Sequence, residues 1–363
     1  MTYSIEERAL IVLSSIEGVG PRRISRLLAA VQRPQEVFAL DPGTLREILG
    51  PALCARFLQC ACDGDHEALF KRLDALDVRA VTRYSPQYPA ALEDIFDPPY
   101  VLYVRGTLPL AQEKAVGVVG SRTATRYGQS AARSLSAQLA RQDVCVVSGM
   151  ARGIDSAAHL GALDAGGKTI AVMGCGLDIC YPPENRGLFD RIAGQGALVS
   201  EYLPGAQPLP IHFRQRNRII AGLSQACLMV EGARRSGAMI TVDFAADAGR
   251  EIFAVPGPID SPMSESPNQL IRDGAHLAAS AMDIVETMGW GVRTAEKPRG
   301  RTSSVQLDAQ EAAVVAPLLR EDLTFDELEQ ITKMQPQALN SLLTMLSLRG
   351  IIKQHPGGVY STQ

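Results

Sequence analysis

Between residues 115 and 257 the chain alternates short, continuous apolar runs with longer segments of mixed polarity. A continuous run of small and β-branched apolar residues is typical of a parallel strand buried on both faces, and the segments between the runs are long enough for helices. Alternation of strands and helices without hairpin signals indicates a parallel sheet covered on both faces. The pattern predicts an α/β, Rossmann-like domain with a doubly wound sheet, whose strands lie near 115–119, 144–147, 169–173, 197–201, 226–230 and 251–255.

Residues 1–78 have a different pattern, in which apolar residues recur with a period near 3.6, as at 9–16 and 24–31. This period predicts short helices. The Gly- and Pro-containing turn at 16–21, followed by Arg22, Arg23 and Arg26, fits two alternatives. It is either the hairpin of a helix–hairpin–helix element, whose backbone N–H groups meet DNA phosphates, or a tight corner in a helical interaction module of the sterile-alpha-motif type.

Prolines precede a short apolar run at 100–104 in the next segment, 79–112. Since proline cannot donate a backbone hydrogen bond within a sheet, this composition predicts a linker followed by an edge strand.

The last part of the chain begins with a polar, basic segment at 291–305, which has the composition of a tether. Residues 306–363 then predict three helices and two closing strands, with a capping box at Thr324 and Glu327, and this arrangement resembles a winged helix. The third helix would expose only uncharged side chains, so we expect this module to contact protein or to tune a dimer. The predicted domains are therefore a helical domain at 1–78, a Rossmann-like domain at 79–290, a basic linker at 291–305 and a winged-helix domain at 306–363.

Small residues follow two of the predicted strands directly, at 120–122 (GSR) and 148–153 (SGMARG). In a parallel sheet these turns and the 174–184 loop share the carboxyl edge, where ligands bind and where helix N-termini attract anions. We expect Ser121 and Ser148 to hydrogen-bond phosphate oxygens. Asp155 begins a helix, so it either caps that helix or holds a basic side chain in place, and capping is the role we expect.

Composition adds limits to this picture. The chain has 363 residues with 36 Lys and Arg against 39 Asp and Glu, a net charge of −3, so a polyanion would have to bind at a local basic patch. Neither a signal sequence nor a membrane-spanning run is evident, which predicts a cytoplasmic protein without a membrane partner. The 7 cysteines are scattered and predict buried thiols; no metal site and no cofactor are expected.

The run 212–218 (HFRQRNR) is the strongest nucleic-acid signal. Guanidinium groups bind phosphates and an aromatic ring stacks on a base. We expect Arg216 and Arg218 to line the site, because they would precede an apolar helix at 219–223 whose free N–H groups point at the ligand. Lys168, Arg234 and Arg235 are weaker candidates.

Several motifs resemble the DNA-processing protein A family (DprA, also called Smf), and they extend over roughly 84–275 in the family's order. They are 120–122 (GSR), 148–155 (SGMARGID), 174–178 (GCGLD), 181–185 (YPPEN), 216–224 (RNRIIAGLS), 236–241 (SGAMIT) and 249–257 (GREIFAVPG). The resemblance implies a dimer, formed through the Rossmann-like domain, that binds single-stranded DNA and loads the RecA recombinase during natural transformation. Arg214 stands where relatives usually have Pro, and Ser264–Asn268 lacks the Arg and Gly typical of that loop.

The combined DNA-binding candidates come from the strand-end turns and from the arginine run. They are Gly120, Ser121, Arg122, Ser148, Gly149, Arg152, Gly153, Asp155, Lys168, Phe213, Arg214, Arg216, Asn217, Arg218, Ser236 and Gly237. The leading hypothesis is a non-catalytic single-stranded-DNA-binding protein. The alternative is a nucleotide or nucleoside-phosphate hydrolase in which Glu231 or Asp155 acts as acid and base and Ser236-Gly237 holds phosphate; a scaffold with a vestigial basic site is a third possibility.

Overall fold

The computed structural model describes residues 3–62, 66–108, 114–234, 236–291, 308–319, 323–349, 351–355 and 358–362. The chain divides into two compact units, Met1–Thr294 and Ala295–Gln363, which are described separately. The predicted tether at 291–305 lies, after Gly291, outside the described residues, as does Arg235.

The first unit begins with a helical segment and continues as alternating strands and helices. Its helices are α1 (Ile5–Ser15), α2 (Pro21–Leu28), α3 (Pro42–Leu49), α4 (Pro51–Cys62), α5 (His66–Ala75), α6 (Arg126–Arg141), α7 (Ile154–Asp164), α8 (Arg186–Gln195), α9 (Pro210–Gly222), α10 (Met239–Asp247), α11 (Glu265–Arg272) and α12 (Ala281–Thr287). Its strands are β1 (Arg79–Thr82), β2 (Val101–Gly106), β3 (Ala115–Val119), β4 (Cys145–Ser148), β5 (Thr169–Met173), β6 (Ala197–Ser200), β7 (Ala226–Met229), β8 (Glu251–Ala254) and β9 (His276–Leu277).

These strands form one sheet in the order β1-β2-β6-β5-β4-β3-β7-β8-β9. Strands β3 to β9 run parallel, with Gly117 opposite both Val147 and Cys227, whereas β1 and β2 add to β6 as antiparallel strands. The α/β, Rossmann-like prediction is confirmed. The prediction of an edge strand at 100–104 is wrong, because β2 lies between β1 and β6 and the short strand Arg79–Thr82 forms the edge.

Alternate side chains of each strand point to opposite faces of the sheet. Val116 and Val118 pack with α6, α7 and α12, whereas Ala115 and Val119 belong to the cluster that includes α9 and α10. The sheet is therefore the middle of three layers. Strand order reverses between β3 and β7, and this is the point at which open α/β sheets bind ligands at their carboxyl edge.

The N-terminal helices pack directly on the sheet. Leu10 and Leu13 of α1 share a hydrophobic cluster with Val101 and Tyr103 of β2, and the Ser14 hydroxyl lies 3.0 Å from the Tyr103 hydroxyl. The division of the chain at residue 78 remains a prediction, and so does the choice between the two helical modules.

The second unit is a small helical domain closed by a sheet. It contains α13 (Ala309–Leu318), β10 (Leu323–Thr324), α14 (Phe325–Thr332), α15 (Pro336–Leu348), β11 (Ile352–His355) and β12 (Val359–Thr362), with the strands ordered β10-β12-β11. Leu328, Leu339 and Leu343 form the centre of its core. The predicted capping box is present, since Thr324 N–H donates to Glu327 at 2.7 Å, and the winged-helix prediction is confirmed.

Candidate nucleic-acid interface

The turn after β3 is held tightly at the carboxyl edge. Ser121 N–H donates to the Glu231 carbonyl at 2.7 Å, and Ile154 N–H donates to the Ser121 carbonyl at 3.2 Å. A Cβ at Gly120 would lie 2.6 Å from the Ile154 side chain, and one at Gly153 would lie 2.9 Å from the Arg122 carbonyl oxygen. Gly153 has φ +74°, a backbone conformation that suits glycine. The prediction that these turns share one edge is confirmed, and the glycines are required by close backbone packing.

An exposed arginine and an aromatic ring meet on this edge. The Cζ of Arg122 lies 5.6 Å from the centroid of the Phe213 ring, whose other neighbour, Tyr181, has its centroid 5.2 Å away. A Cβ at Gly174 would lie 2.8 Å from the Phe213 ring, so the loop after β5 forms the floor beneath it. Arg122, Phe213 and Tyr181 combine a cation with two ring faces, which is the chemistry of a nucleotide-binding surface.

Helix α9 begins earlier than the sequence indicated. It starts at Pro210 and ends at Gly222, so Arg216 and Arg218 lie inside the helix and not before an N-terminus at residue 219. Proline is favoured at the first helical position, where its missing N–H costs nothing. The argument that free N–H groups after Arg218 point at a ligand is therefore wrong.

Arg216 lies beneath the edge and not on it. Its side chain is buried, and its Nη1 and Nη2 donate to the carbonyls of Val172 at 2.5 Å and Gly149 at 2.9 Å. Gly149 must be glycine, because a Cβ there would fall within the Arg216 guanidinium. Burial lowers the pKa of Arg216 to about 10, against the opposing effect of Asp155. Arg216 consequently supplies positive potential from below and supports the 148–153 loop.

Asp155 is not the cap of α7. The N-cap is Gly153, and Asp155, in the first turn, accepts a hydrogen bond from Ala151 N–H at 3.2 Å. Burial raises the pKa of Asp155, while the nearby Arg216 charge opposes the rise. The capping expectation is thus wrong. Asp155 instead accepts a hydrogen bond from the 148–153 loop, and the alternative reading, that it holds a basic side chain in place, stays a prediction.

Ser148 does not reach the surface either. It is fully buried, and its hydroxyl donates to the Val118 carbonyl at 2.7 Å, which ties β4 to β3. A direct bond from Ser148 to phosphate is therefore inconsistent with its position. Ser121 remains partly exposed on the edge.

A buried histidine positions the 148–153 loop, and sequence reasoning missed it. Met150 has φ +62° and its N–H donates to Nε2 of His159 at 3.3 Å. Nδ1 of His159 lies 2.7 Å from Thr169 Oγ1, whose hydroxyl donates to the Val146 carbonyl, so Nδ1 carries the hydrogen. Burial lowers the pKa of His159 to about 3, and Arg216 adds to the effect. The only signal in the sequence is a histidine among small apolar residues of a helix.

Arg218 points away from Arg122 and Phe213. Its Nη2 forms a 2.6 Å ion pair with Glu201, and its Nε donates to the Asp97 carbonyl at 2.9 Å. It is buried and connects α9 to the end of β6, so the expectation that Arg218 lines the site is wrong.

Arg214 is exposed and forms no hydrogen bond or ion pair with other described residues, while Asn217 is half-buried.

The remaining candidates lie at different edges of the sheet. Lys168 directly precedes β5 and so lies at the amino edge, about 15 Å or more from the carboxyl edge at about 3.3 Å per residue, which removes it from the site. Ser236 and Gly237 follow β7 at the carboxyl edge, and Ser236 Oγ accepts from Ala238 N–H at 3.3 Å. Arg152 is exposed beside Gly153 and pairs with Glu184.

Two features bear on the hydrolase alternative. Glu231 is buried, and its carboxylate accepts from Thr125 N–H at 2.8 Å and from the Thr125 hydroxyl at 2.6 Å. Asp155 is also buried and engaged. Neither carboxylate is presented to a substrate, so no observation favours this alternative.

Within the ranges described, no group of three or more His, Cys, Asp or Glu could hold a metal ion, and no helix there is long and apolar enough to cross a bilayer.

A second aromatic pair lies at the start of α9. The Tyr202 and His212 rings stack with centroids 4.0 Å apart, and the Tyr202 hydroxyl donates to Gln215 at 3.0 Å. Sequence reasoning named Tyr181 only as part of the 181–185 motif and did not name Tyr202, because these aromatic residues are separated from α9 along the chain.

The sequence and the fold of the chain were compared with those of known proteins. The family model for DNA recombination-mediator protein A matches residues 79–289, and the DprA winged helix domain model matches residues 298–358. The chain is 44% identical over 198 residues to the DNA processing protein DprA of Streptococcus pneumoniae, covering 54% of this chain and 70% of that protein. The X-ray structure of that organism's DprA aligns with a TM-score of 0.68 and 35% identity, over 79% of this chain and 98% of that chain. The DNA processing protein A of Helicobacter pylori, solved for its single-stranded DNA binding mode, aligns with a TM-score of 0.54 and 27% identity, over 60% and 97% of the two chains.

Proposed function

We propose, from the premise that the chain belongs to the DNA recombination-mediator protein A family, that the carboxyl edge of its sheet binds single-stranded DNA without sequence preference. The observation that carries the proposal is the exposed Arg122 guanidinium over the Phe213 ring, at the edge where the turns after β3, β4 and β5 meet. The single-stranded DNA binding mode described for the Helicobacter pylori relative supports it.

The exposed residues contact the DNA directly in this proposal, and the buried residues act indirectly. Arg122 and Arg214 bind phosphates from the surface, and Phe213 and Tyr181 offer ring faces to bases. The buried Arg216 adds positive potential without direct contact, and Asp155 and His159 keep the loop that covers it in place. Since any base has a π face and any nucleotide a phosphate, this set binds single strands regardless of sequence.

The proposal extends to the protein's role in the cell. The protein, as a homodimer formed through its Rossmann-like domain in the cytoplasm, protects incoming single strands and loads the RecA recombinase on them during natural transformation. No chemical step and no cofactor are needed for this role. RecA assembly on an oligonucleotide coated with single-strand-binding protein, with and without this protein, tests the loading; no acceleration of assembly would overturn it.

Fluorescence anisotropy of labelled oligo-dT and of a matching duplex tests the DNA site. We expect the single strand to bind more tightly, with affinity falling steeply between about 50 and 200 mM salt as counterions are released. Arg122→Ala should weaken binding by roughly tenfold or more, and Phe213→Ala by a similar factor through lost stacking. Lys168→Ala, at the amino edge, is the matched control and should bind as the wild type does. Binding that does not change with salt, or that Arg122→Ala leaves intact, would contradict the proposal.

A further inference from the structure

A cleft of about 480 Å³ lies between α6 and α7, at the end of these helices that is closest to the carboxyl edge. Ser130 and Arg133 line it from α6, Ala157 and Leu160 from α7, and Arg152 from the preceding loop. The two helices approach closely at Gly161, where a Cβ would overlap the Arg133 carbonyl. This closure leaves an open wedge over the first turns of both helices. Its volume is in the range of small-ligand pockets, about 300–1,000 Å³.

The cleft is lined by two arginines, Arg133 and Arg152, whose carboxylate partners an anionic ligand could replace. Asp164 accepts from Arg133 at 2.5 Å and from Arg191 at 2.8 Å, so a single carboxylate offsets two guanidinium groups. Arg152 pairs with Glu184, and both side chains of this pair are about half exposed. An exposed ion pair contributes little stability because water and salt screen it. A phosphate can therefore replace Glu184 as the partner of Arg152 at little cost.

The cleft is continuous with the proposed DNA site. Gly153 lines the cleft, and a Cβ on the same residue would lie 2.9 Å from the carbonyl of Arg122. A strand that left Arg122 in the direction of Gly153 would therefore meet the cleft next. The buried methyl group of Ala157 and the half-buried Leu160 side chain provide an apolar surface for a base.

We propose that single-stranded DNA bound at Arg122 and Phe213 continues past Gly153 and places a further nucleotide in this cleft. Arg133 and Arg152 bind its phosphate, and Ala157 and Leu160 contact its base. The inference rests on the proposed function, because it extends the same strand around the edge from the α9 face to the α6–α7 face of the sheet. If the strand continues into the cleft, lengthening the oligonucleotide raises the affinity more than contacts at Arg122 and Phe213 alone would.

The test compares oligo-dT of about 6 nucleotides, near the lower end of the roughly 4–16 nucleotides that an OB fold covers, with oligo-dT of about 20 nucleotides, which exceeds that range. Ser130→Trp fills the cleft from its exposed α6 wall. Ser134→Trp, one turn further along α6 and outside the cleft lining, is the matched control. Thermal denaturation of both variants checks that neither is unfolded, and the full-length protein is used throughout.

We expect Ser130→Trp to bind the short oligonucleotide as the wild type does and to lose roughly tenfold of the affinity gained on lengthening, the value of one stacked nucleotide. Ser134→Trp should keep the gain. Arg133→Gln should reduce the salt slope by about 0.7 for the long oligonucleotide only, because one phosphate contact is lost.

The outcomes separate this inference from the proposed function. If the wild type binds neither oligonucleotide, both fail. If it binds both and Ser130→Trp retains the length gain, only the continuation of the strand is overturned. A retained gain together with a thermal shift by thymidine 5′-monophosphate that Ser130→Trp abolishes would assign the cleft to a free nucleotide and would also overturn the continuation.

Discussion

Gly149 lies in the 148–153 loop directly against the buried Arg216 guanidinium, and a side chain at this position would overlap that group. The guanidinium of Arg216 lies against its Cα and donates to its carbonyl at 2.9 Å. Arg216 cannot move away without losing this bond and the one to Val172, and its Nε already lacks a partner.

We therefore expect Gly149→Ala to lower the free energy of unfolding by about 1–3 kcal/mol and to weaken DNA binding, since overpacking displaces the loop. Gly187→Ala is the control, because a Cβ there meets nothing within 4 Å and the residue lies in helix α8. It should be neutral or stabilising, by up to about 1 kcal/mol. Chemical denaturation of both variants provides the comparison; equal stability would show that Arg216 is not held as described.

His159 should make stability depend on pH. Its pKa is lowered by burial to about 3 in the folded protein, from an ordinary value of 6.5. As the pH falls below 6.5, the unfolded chain takes up a proton that the folded chain excludes, so this contribution is fully present above pH 6.5 and is lost towards pH 3. The buried Asp155, whose pKa is raised, acts with the opposite sign, because the folded state then binds the proton more readily.

We expect the free energy of unfolding to fall by about 1.4 kcal/mol per pH unit from His159 alone within that window. His159→Gln, which can still accept from Met150 N–H, should remove this slope. Urea denaturation between pH 4 and pH 7 measures it. An identical slope in the variant would assign the acid sensitivity to other groups.

At the scale of elements, the start of α6 is connected to the end of β7 through one side chain pair. Thr125 is the N-cap of α6, where its Oγ1 accepts from Gly128 N–H at 3.2 Å, and the same hydroxyl donates to the buried Glu231 at 2.6 Å. The turn that carries Arg122 connects β3 to α6, and its Ser121 N–H donates to the Glu231 carbonyl beyond the end of β7. Loss of Thr125 consequently removes a cap and leaves a buried carboxylate with fewer partners.

Thr125→Ala should destabilise the protein by about 2–4 kcal/mol, the sum of a cap and an unsatisfied buried acceptor. Ser280→Ala is the control. Ser280 is the N-cap of α12, and its side chain bonds only to Asp283 in its own capping box, so this substitution should cost about 1 kcal/mol. Thermal or urea unfolding of the two variants gives the difference. If both substitutions cost the same, the bond to Glu231 adds nothing to stability.

At the scale of the whole molecule, the distribution of charge leads us to expect that DNA binding depends on the first unit. The net charge is −3, and the exposed face of α15 in the second unit presents Gln337, Asn340, Ser341 and Thr344, none of which is charged. Winged helices that bind DNA usually present basic residues on this helix.

We expect the double variant Asn340→Glu/Thr344→Glu to bind single-stranded and duplex DNA as the wild type does, within about twofold, because it alters no phosphate contact. The corresponding change at the carboxyl edge, Arg122→Glu, should abolish most of the binding. Anisotropy titrations of both variants at one salt concentration make the comparison. A marked loss in the α15 variant would show that the winged helix takes part in DNA binding.

The local pattern of the sequence determined the elements of this fold. The six apolar runs correspond to β3 through β8, and their alternation with helices determined a parallel sheet, because a buried strand must be apolar on both faces. The carboxyl-edge position of Gly120 to Arg122 and of the 148–153 loop followed from the same pattern, since all parallel strands end at one edge. The pairing of β2 with β6, and of β1 with β2 at the edge, was not predictable from 79–112, because strand order depends on contacts that are distant along the chain.

Only the tertiary structure decided which arginines face the solvent. Arg214, Arg216 and Arg218 are equivalent in the sequence, yet within α9 the first is exposed, the second is buried under Gly149 and the third is paired with Glu201. A helical residue's environment depends on the packing of the helix as a whole, and α9 packs on the sheet against β5 and beside α10. The composition of 212–218 therefore determined that positive charge gathers near this edge, and the packing of α9 determined which of those charges a ligand can reach.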